Sequence, residues 1–169
     1  TMILPGTNLL FSVELEKETI ITQNVAGYLS GADPELRKET VILSAHYDHL
    51  GIDEEGTIWN GADDNGTGTS AILEIAEALT STRKRAPRSF LFLTVSGEEK
   101  GLLGSSYYTD HPLIPIEQTI TDLNIDMVGR NAPDSIYIIG PDMNSRELHN
   151  TNESADLLLV NLSVNYRMN

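Results

Sequence analysis

Three short, predominantly apolar runs punctuate the chain, and each meets charge abruptly. Thr40-Val41-Ile42-Leu43-Ser44-Ala45 gives way to His46-Tyr47-Asp48-His49, and Ser89 to Val95 gives way to Ser96-Gly97-Glu98-Glu99. Leu123 to Val128 carries Asp126 within it. Runs of this length without polar alternation predict strands covered on both faces, as in a parallel sheet. Between the first two runs, Ile72, Ile75, Ala76 and Leu79 repeat at the spacing of one buried helical face. Ala, Leu and Glu dominate that segment, so propensity agrees with periodicity.

The rest of the pattern is weaker. Leu9 to Thr22 sets Phe11, Val13 and Leu15 against Ser12, Glu14 and Glu16, which predicts a half-exposed strand near a sheet edge. Asn24 to Ser30 predicts a second short strand, closed by the turn residues Gly31-Ala32-Asp33-Pro34. A short helix is expected to start at the Glu98–Glu99 segment and to carry Leu102, Leu103 and Tyr107. Ser135 to Ile139 and Ser163 to Arg167 predict further strands, with a capped amphipathic helix from Asn144 to Val160 between them. Alternating strands and helices define an α/β fold, a three-layer sandwich with a largely parallel or mixed central sheet and helices on both faces. The expected organisation is one domain over residues 1–169, with N-terminal edge strands in 1–35, a core in 36–130 and a strand-helix-strand unit in 131–169.

Composition narrows the functional classes. The 169 residues carry a formal net charge of -14, which argues against a nucleic-acid partner or an anionic membrane surface. There is no cysteine, so thiolate metal sites and thiol nucleophiles are excluded. No apolar run is long enough to span a membrane, and no basic-then-apolar leader is visible.

Parallel strands align their like ends, so His46, Glu98, Glu99 and Asp126 are expected at one rim. Asp64 would join them from the polar loop Gly61-Ala62-Asp63-Asp64-Asn65-Gly66 that opens the helix. Gathering several carboxylates costs several kcal/mol unless a cation collects them. Imidazole plus carboxylate without sulfur suits Zn, Co or Mn better than Ca or Mg. A carboxylate between two segments can bridge two ions. Glu98 and Glu99 are adjacent and point apart, so one can bind metal while the other stays free as a base.

These motifs, together with Gly97-Glu98-Glu99-Lys100-Gly101-Leu102-Leu103-Gly104-Ser105 and Asn124-Ile125-Asp126-Met127-Val128-Gly129-Arg130, resemble the M28 metallopeptidases. These are the co-catalytic zinc aminopeptidases of the bacterial leucyl aminopeptidase type. The resemblance runs from about Asn24 to the C-terminus, in order and spacing. It implies two zinc ions, with Co or Mn as substitutes, a peptide substrate, and removal of N-terminal residues by an activated water. It implies His46 and Asp126 on one metal, Asp64 bridging, and Glu99 on the other. Glu98 would be general base and acid, and Asp48 a carboxylate orienting a metal-site group. Asp63 is not assigned, and the Asp64–Asn65 peptide is expected to be cis. Exported proteins are common in the family, so an extracytoplasmic location is implied.

The chain departs from that pattern in one respect. The resemblance calls for a fifth protein ligand, a His from a segment beyond Asn169, so the chain reads as the C-terminally truncated core of a longer peptidase. His149 lies on the amphipathic helix and reads as a surface residue, His49 as a loop-shaping one, and His111 as a loop residue without a role. Trp59 could line a substrate cleft. Asn65, Asn152 and Asn161 match glycosylation acceptors and are discounted. A glutaminyl-cyclase-like acyltransferase on a related scaffold and a non-catalytic domain are the alternatives.

Overall fold

The computed structural model describes residues 11–17, 19–130, 132–140, 145–156 and 163–167. Four strands form the main sheet: β1 (Val25–Leu29), β2 (Thr40–His46), β5 (Ser89–Val95) and β6 (Thr119–Asn124), in the order β1-β5-β2-β6. β2 lies parallel to β5, with His46 opposite Val95, and parallel to β6, with Ser44 opposite Asn124. β1 closes the β5 edge in antiparallel sense. The sheet is therefore mixed, with a parallel centre.

Side chains of successive strand residues leave opposite faces, and each face has its own helix. On one side Leu43 and Ala45 pack with Ile72 of α1 (Gly66–Ser81), joined by Ile75, Phe90, Phe92, Leu123 and Ile125. On the other, Ile42, Leu91, Leu93 and Val95 pack with Tyr108 of α2 (Leu103–Asp110). Burying each large aliphatic side chain contributes about 1.5–3 kcal/mol. The result is the α/β three-layer arrangement that the pattern predicts. Asn65 caps α1 by accepting the Gly68 N–H at 2.9 Å.

Four local expectations need correction. Residues 11–17 and 19–24 form no strand, and Phe11, Val13 and Leu15 are exposed. Residues 9, 10 and 18 of that stretch lie outside the described residues. β6 starts at Thr119 and ends at Asn124, so Asp126 lies beyond the strand rather than inside it. Met127 follows with φ +50, a left-handed conformation that bends the backbone away from the ladder. The Glu98–Glu99 segment is a turn, and α2 begins only at Leu103. A small hairpin, β3 (Gly51–Ile52) with β4 (Ile58–Trp59), occupies the stretch where no element was predicted.

Beyond the sheet, β7 (Ser135–Ile139) and β8 (Ser163–Arg167) pair in parallel as a separate two-stranded unit. Between them α3 (Arg146–Ala155) is capped by Ser145, whose Oγ accepts the Leu148 N–H at 3.1 Å. The expected ends of that helix, Asn144 and residues 157–160, lie outside the described residues.

Candidate metal centre

The three parallel strands place their carboxyl ends side by side, and the polar segments that follow them meet there. His46, the last residue of β2, is only 2 % exposed. Its backbone carbonyl accepts from Thr69 Oγ1 of α1 at 2.9 Å. Its Nδ1 lies 3.0 Å from the Asp48 carbonyl oxygen. A carbonyl only accepts, so Nδ1 carries the proton and Nε2 keeps its lone pair. That Nε2 is buried and has no hydrogen-bond partner, but it faces Asp64 Oδ1 at 3.1 Å and Asp126 Oδ1 at 3.5 Å. Glu98 Oε2 stands 4.0 Å away.

The acids around it arrive from separate elements. Asp64 sits in the loop before α1, where its peptide bond to Asn65 is cis. Asn65 is almost wholly buried, donating from Nδ2 to the Ile125 carbonyl at 2.9 Å while Oδ1 caps α1. This ties the Asp64 loop to the segment bearing Asp126, and leaves the Asn65 amide unsuited to glycosylation. Asp63 points elsewhere, its Oδ1 accepting the Gly129 N–H at 2.9 Å. Gly68 allows close approach between α1 and this loop, since a Cβ there would collide with the Ile125 carbonyl.

Glu98 and Glu99 follow Gly97, whose φ of +73 starts the turn after β5. The Asp48 carboxylate accepts both of their backbone N–H groups, Glu98 at 3.1 Å and Glu99 at 3.3 Å. Asp48 therefore holds two parts of the cluster at once, His46 through its carbonyl and the glutamate turn through its carboxylate. Glu99 Oε1 lies 2.7 Å from His49 Nδ1.

Two donor groups result. His46, Asp64 and Asp126 bring one ligand atom each within 4.8 Å of one another, and so do His49, Asp64 and Glu99. Asp64 belongs to both. The structure thus brings together Asp48, His46, Asp64, Glu98, Glu99 and Asp126, and adds His49. His111 stacks on Tyr107 with ring centroids 4.4 Å apart, and His149 lies on α3; neither enters a donor group. Trp59 donates its indole N–H to Asp53 at 3.2 Å and is likewise outside both.

The electrostatics follow from crowding. Burial pushes the His46 imidazole down, but the bond to the Asp48 carbonyl and the charges of Asp126, Glu98 and Asp64 outweigh it, so its pKa is raised. Burial is the chief cause that raises Glu98; His46 opposes it, and Glu99, Asp126 and Asp64 add to it. Asp126 is raised in the same way, by burial first, then by Asp64 and Asp63 against the pull of His46. A buried imidazole nitrogen facing the carboxylates of Asp64, Asp126 and Glu98 is a donor set that suits a cation. Imidazole and carboxylate fit zinc and its neighbours.

An α/β sandwich with a carboxylate shared between two donor groups at the ends of its parallel strands defines the class. Comparison with known proteins gives the family: residues 24–165 match the model of peptidase family M28, and the chain belongs to that family. Aminopeptidase YwaD of Bacillus subtilis is 38 % identical over 92 residues, covering 54 % of this chain and 18 % of that protein. Aminopeptidase Y of Saccharomyces cerevisiae is 31 % identical over 159 residues, covering 94 % of this chain and 26 % of that protein. Among solved structures, BSAP, a zinc aminopeptidase from Bacillus subtilis, superposes with TM-score 0.67 at 29 % identity, covering 83 % of this chain and 33 % of that one. LapB from Legionella pneumophila superposes with TM-score 0.69 at 26 % identity, covering 86 % and 38 % respectively. The chain thus spans well under half the length of each.

Proposed function

We propose that this chain is the metal-binding core of an aminopeptidase that removes N-terminal residues from peptides with two zinc ions. The observation that carries this reading is the sharing of Asp64 between two donor groups, with Glu98 beside them and in neither. His46 and Asp126 would hold one ion, Glu99 the other, and Asp64 both. When bound, the ions supply Lewis acidity that polarises a peptide carbonyl and lowers the pKa of water.

The protein's own residues do the proton work. Glu98 stands free at the rim, where its carboxylate takes a proton from the attacking water and returns it to the departing amine. Burial raises its pKa, which brings it nearer the value a base needs at neutral pH. Asp48 keeps that carboxylate in place by holding its backbone N–H. His46 is held in the tautomer that offers Nε2 to the cation side.

The test uses the full-length polypeptide and aminoacyl anilides. Glu98→Gln is expected to retain both ions and lose about 10²–10⁴-fold in kcat. Undiminished turnover in that variant would remove Glu98 as the base. Cyclisation of peptides beginning with Gln, assayed in parallel, is expected to be absent.

A further inference from the structure

Residues 50–60 join neither donor group, yet both ends of this stretch are fixed at the centre. His49 precedes it, with Nδ1 2.7 Å from Glu99 Oε1. Gly61 follows it and packs on His49 so closely that a Cβ there would come within 2.8 Å of the His49 Cβ and Cγ. The Gly61 carbonyl in turn accepts the Gly66 N–H at 2.9 Å, which ties this neck to the first turn of α1. The β3–β4 hairpin therefore stands on a closed neck beside Asp64 and Glu99.

The two faces of this hairpin differ. On one, Trp59 donates its indole N–H to Asp53, whose other oxygen accepts the Glu55 and Thr57 N–H groups. That face is braced from within. Ile52 lies opposite Ile58 in the register, so the pair shares the other face, and the two side chains are 68 % and 62 % exposed. Leaving an aliphatic side chain bare forgoes about 1.5–3 kcal/mol, and a short hairpin is marginally stable at best. Charge brackets the pair, with exposed Glu54 and Glu55 at the tip and the acids of the centre below the neck. A broad apolar cover would also have to desolvate those carboxylates, whereas one side chain of an extended peptide need touch only the pair.

Reach selects the occupant. Ile52 and Ile58 each stand three residues from the neck, roughly 10 Å along a strand. An extended peptide spans that distance in about three residues. A peptide whose first carbonyl lies among the donors therefore brings its third residue to the pair. We propose that Ile52 and Ile58 form a subsite for an apolar side chain of the peptide substrate, at the second residue downstream of the cleaved bond. The proposal rests on the aminopeptidase reading above and adds a preference on the leaving side of the bond. Cover by another part of the full-length polypeptide is the competing account, and it makes no demand on peptide sequence.

The experiment compares tripeptides on the full-length polypeptide. Ala-Ala-Leu amide and Ala-Ala-Gly amide present an apolar side chain or none at the third position. Initial-rate kcat/KM is measured on both for wild type, Ile52→Ser and Ile58→Ser. Wild type is expected to favour the Leu peptide by about tenfold, and each variant to bring that ratio toward one. A ratio near one in wild type, or a preference that both variants keep, would overturn the subsite and leave the aminopeptidase reading standing. Folded variants that lose activity on both peptides by the same factor would mark the pair as covered by protein, and would overturn it too. No hydrolysis of either peptide by zinc-loaded wild type would bring down the aminopeptidase reading and this inference together. Crosslinking to wild type settles the matter if a variant misfolds. An uncleavable analogue, with its first amide reduced and benzoylphenylalanine in third place, is expected to label residues 50–60, mapped by mass spectrometry. Labelling confined to other segments would refute the assignment.

Discussion

Asp48 serves the cluster without facing its centre. Its two contributions come from different atoms, the main-chain carbonyl for His46 and the carboxylate for the Glu98 and Glu99 N–H groups. Substitution can separate them. In Asp48→Asn the carbonyl is kept, but one oxygen becomes an NH₂ that can only donate, facing a backbone N–H. One of the two turn bonds is lost and the glutamate turn loosens. The expected outcome is a drop in kcat of about 10–100-fold with both ions retained, since residues that orient metal-site groups typically cost that much. Steady-state kinetics with metal analysis on the full-length polypeptide checks it, and KM should move far less than kcat. At this scale much of the cluster was legible. Strand ends and motifs point to His46, Asp64, Glu98, Glu99 and Asp126, which lie together, while Asp63 turns away to accept the Gly129 N–H. His49 reads from the sequence only as a loop-shaping residue, because its approach to Glu99 depends on the loop path after β2 and on Gly61 behind it. Nothing in the local pattern encodes that path.

The elements were legible where burial on two faces fixed them. β2, β5 and α1 stand where apolar runs and helical periodicity put them, because each buries its side chains against the others. Elements that depend on a distant partner were misread. Alternation over Phe11 to Leu15 suggests a strand, but β1 already occupies the β5 edge, and residues 11–17 pair with no strand. The β6 run was displaced because Ile125 still donates to the Ser44 carbonyl while Met127 turns out of line, so the apolar pattern outlasts the strand. The β3–β4 hairpin escaped notice because a side chain, rather than hydrophobic alternation, organises it. Asp53 accepts backbone N–H groups of Glu55 at 3.0 Å and Thr57 at 2.8 Å, and the Trp59 indole as well. Its pKa is lowered, chiefly by the Thr57 bond, with burial opposing. A lowered carboxyl stabilises the hairpin fully above the ordinary Asp value of 3.8 and loses that contribution as pH falls through the folded value beneath it. Trp59 is the chain's one tryptophan, so its fluorescence reports this contact. A fluorescence transition is expected below pH 3.8, absent in Asp53→Asn. An identical titration in both proteins would separate the hairpin from Asp53.

At the scale of the molecule, the centre concentrates a charge problem that the whole chain shares. The net charge is -14, and four acidic side chains, Asp64, Glu98, Glu99 and Asp126, crowd around His46 and His49. Burial is the chief cause that raises the pKa values of Glu98 and Asp126, and the neighbouring acids add to it against the pull of His46. The α1 loop and the ends of three parallel strands are joined through this point, so the repulsion acts across elements rather than within one. A divalent cation that binds the folded chain therefore stabilises the sheet and helix arrangement as a unit. Linkage sets the size: a ligand at 100 times its Kd adds about 2.7 kcal/mol per site. For a chain of this length that is roughly 5–10 °C in Tm. Thermal unfolding of the zinc-loaded chain and of the chelator-stripped chain is expected to differ by at least that interval. Raising ionic strength should recover part of the loss in the stripped protein alone, because salt screens repulsion that bound metal has already cancelled. Equal Tm values with and without metal would mean that the acids tolerate one another through solvent. The cluster would then be no cation site.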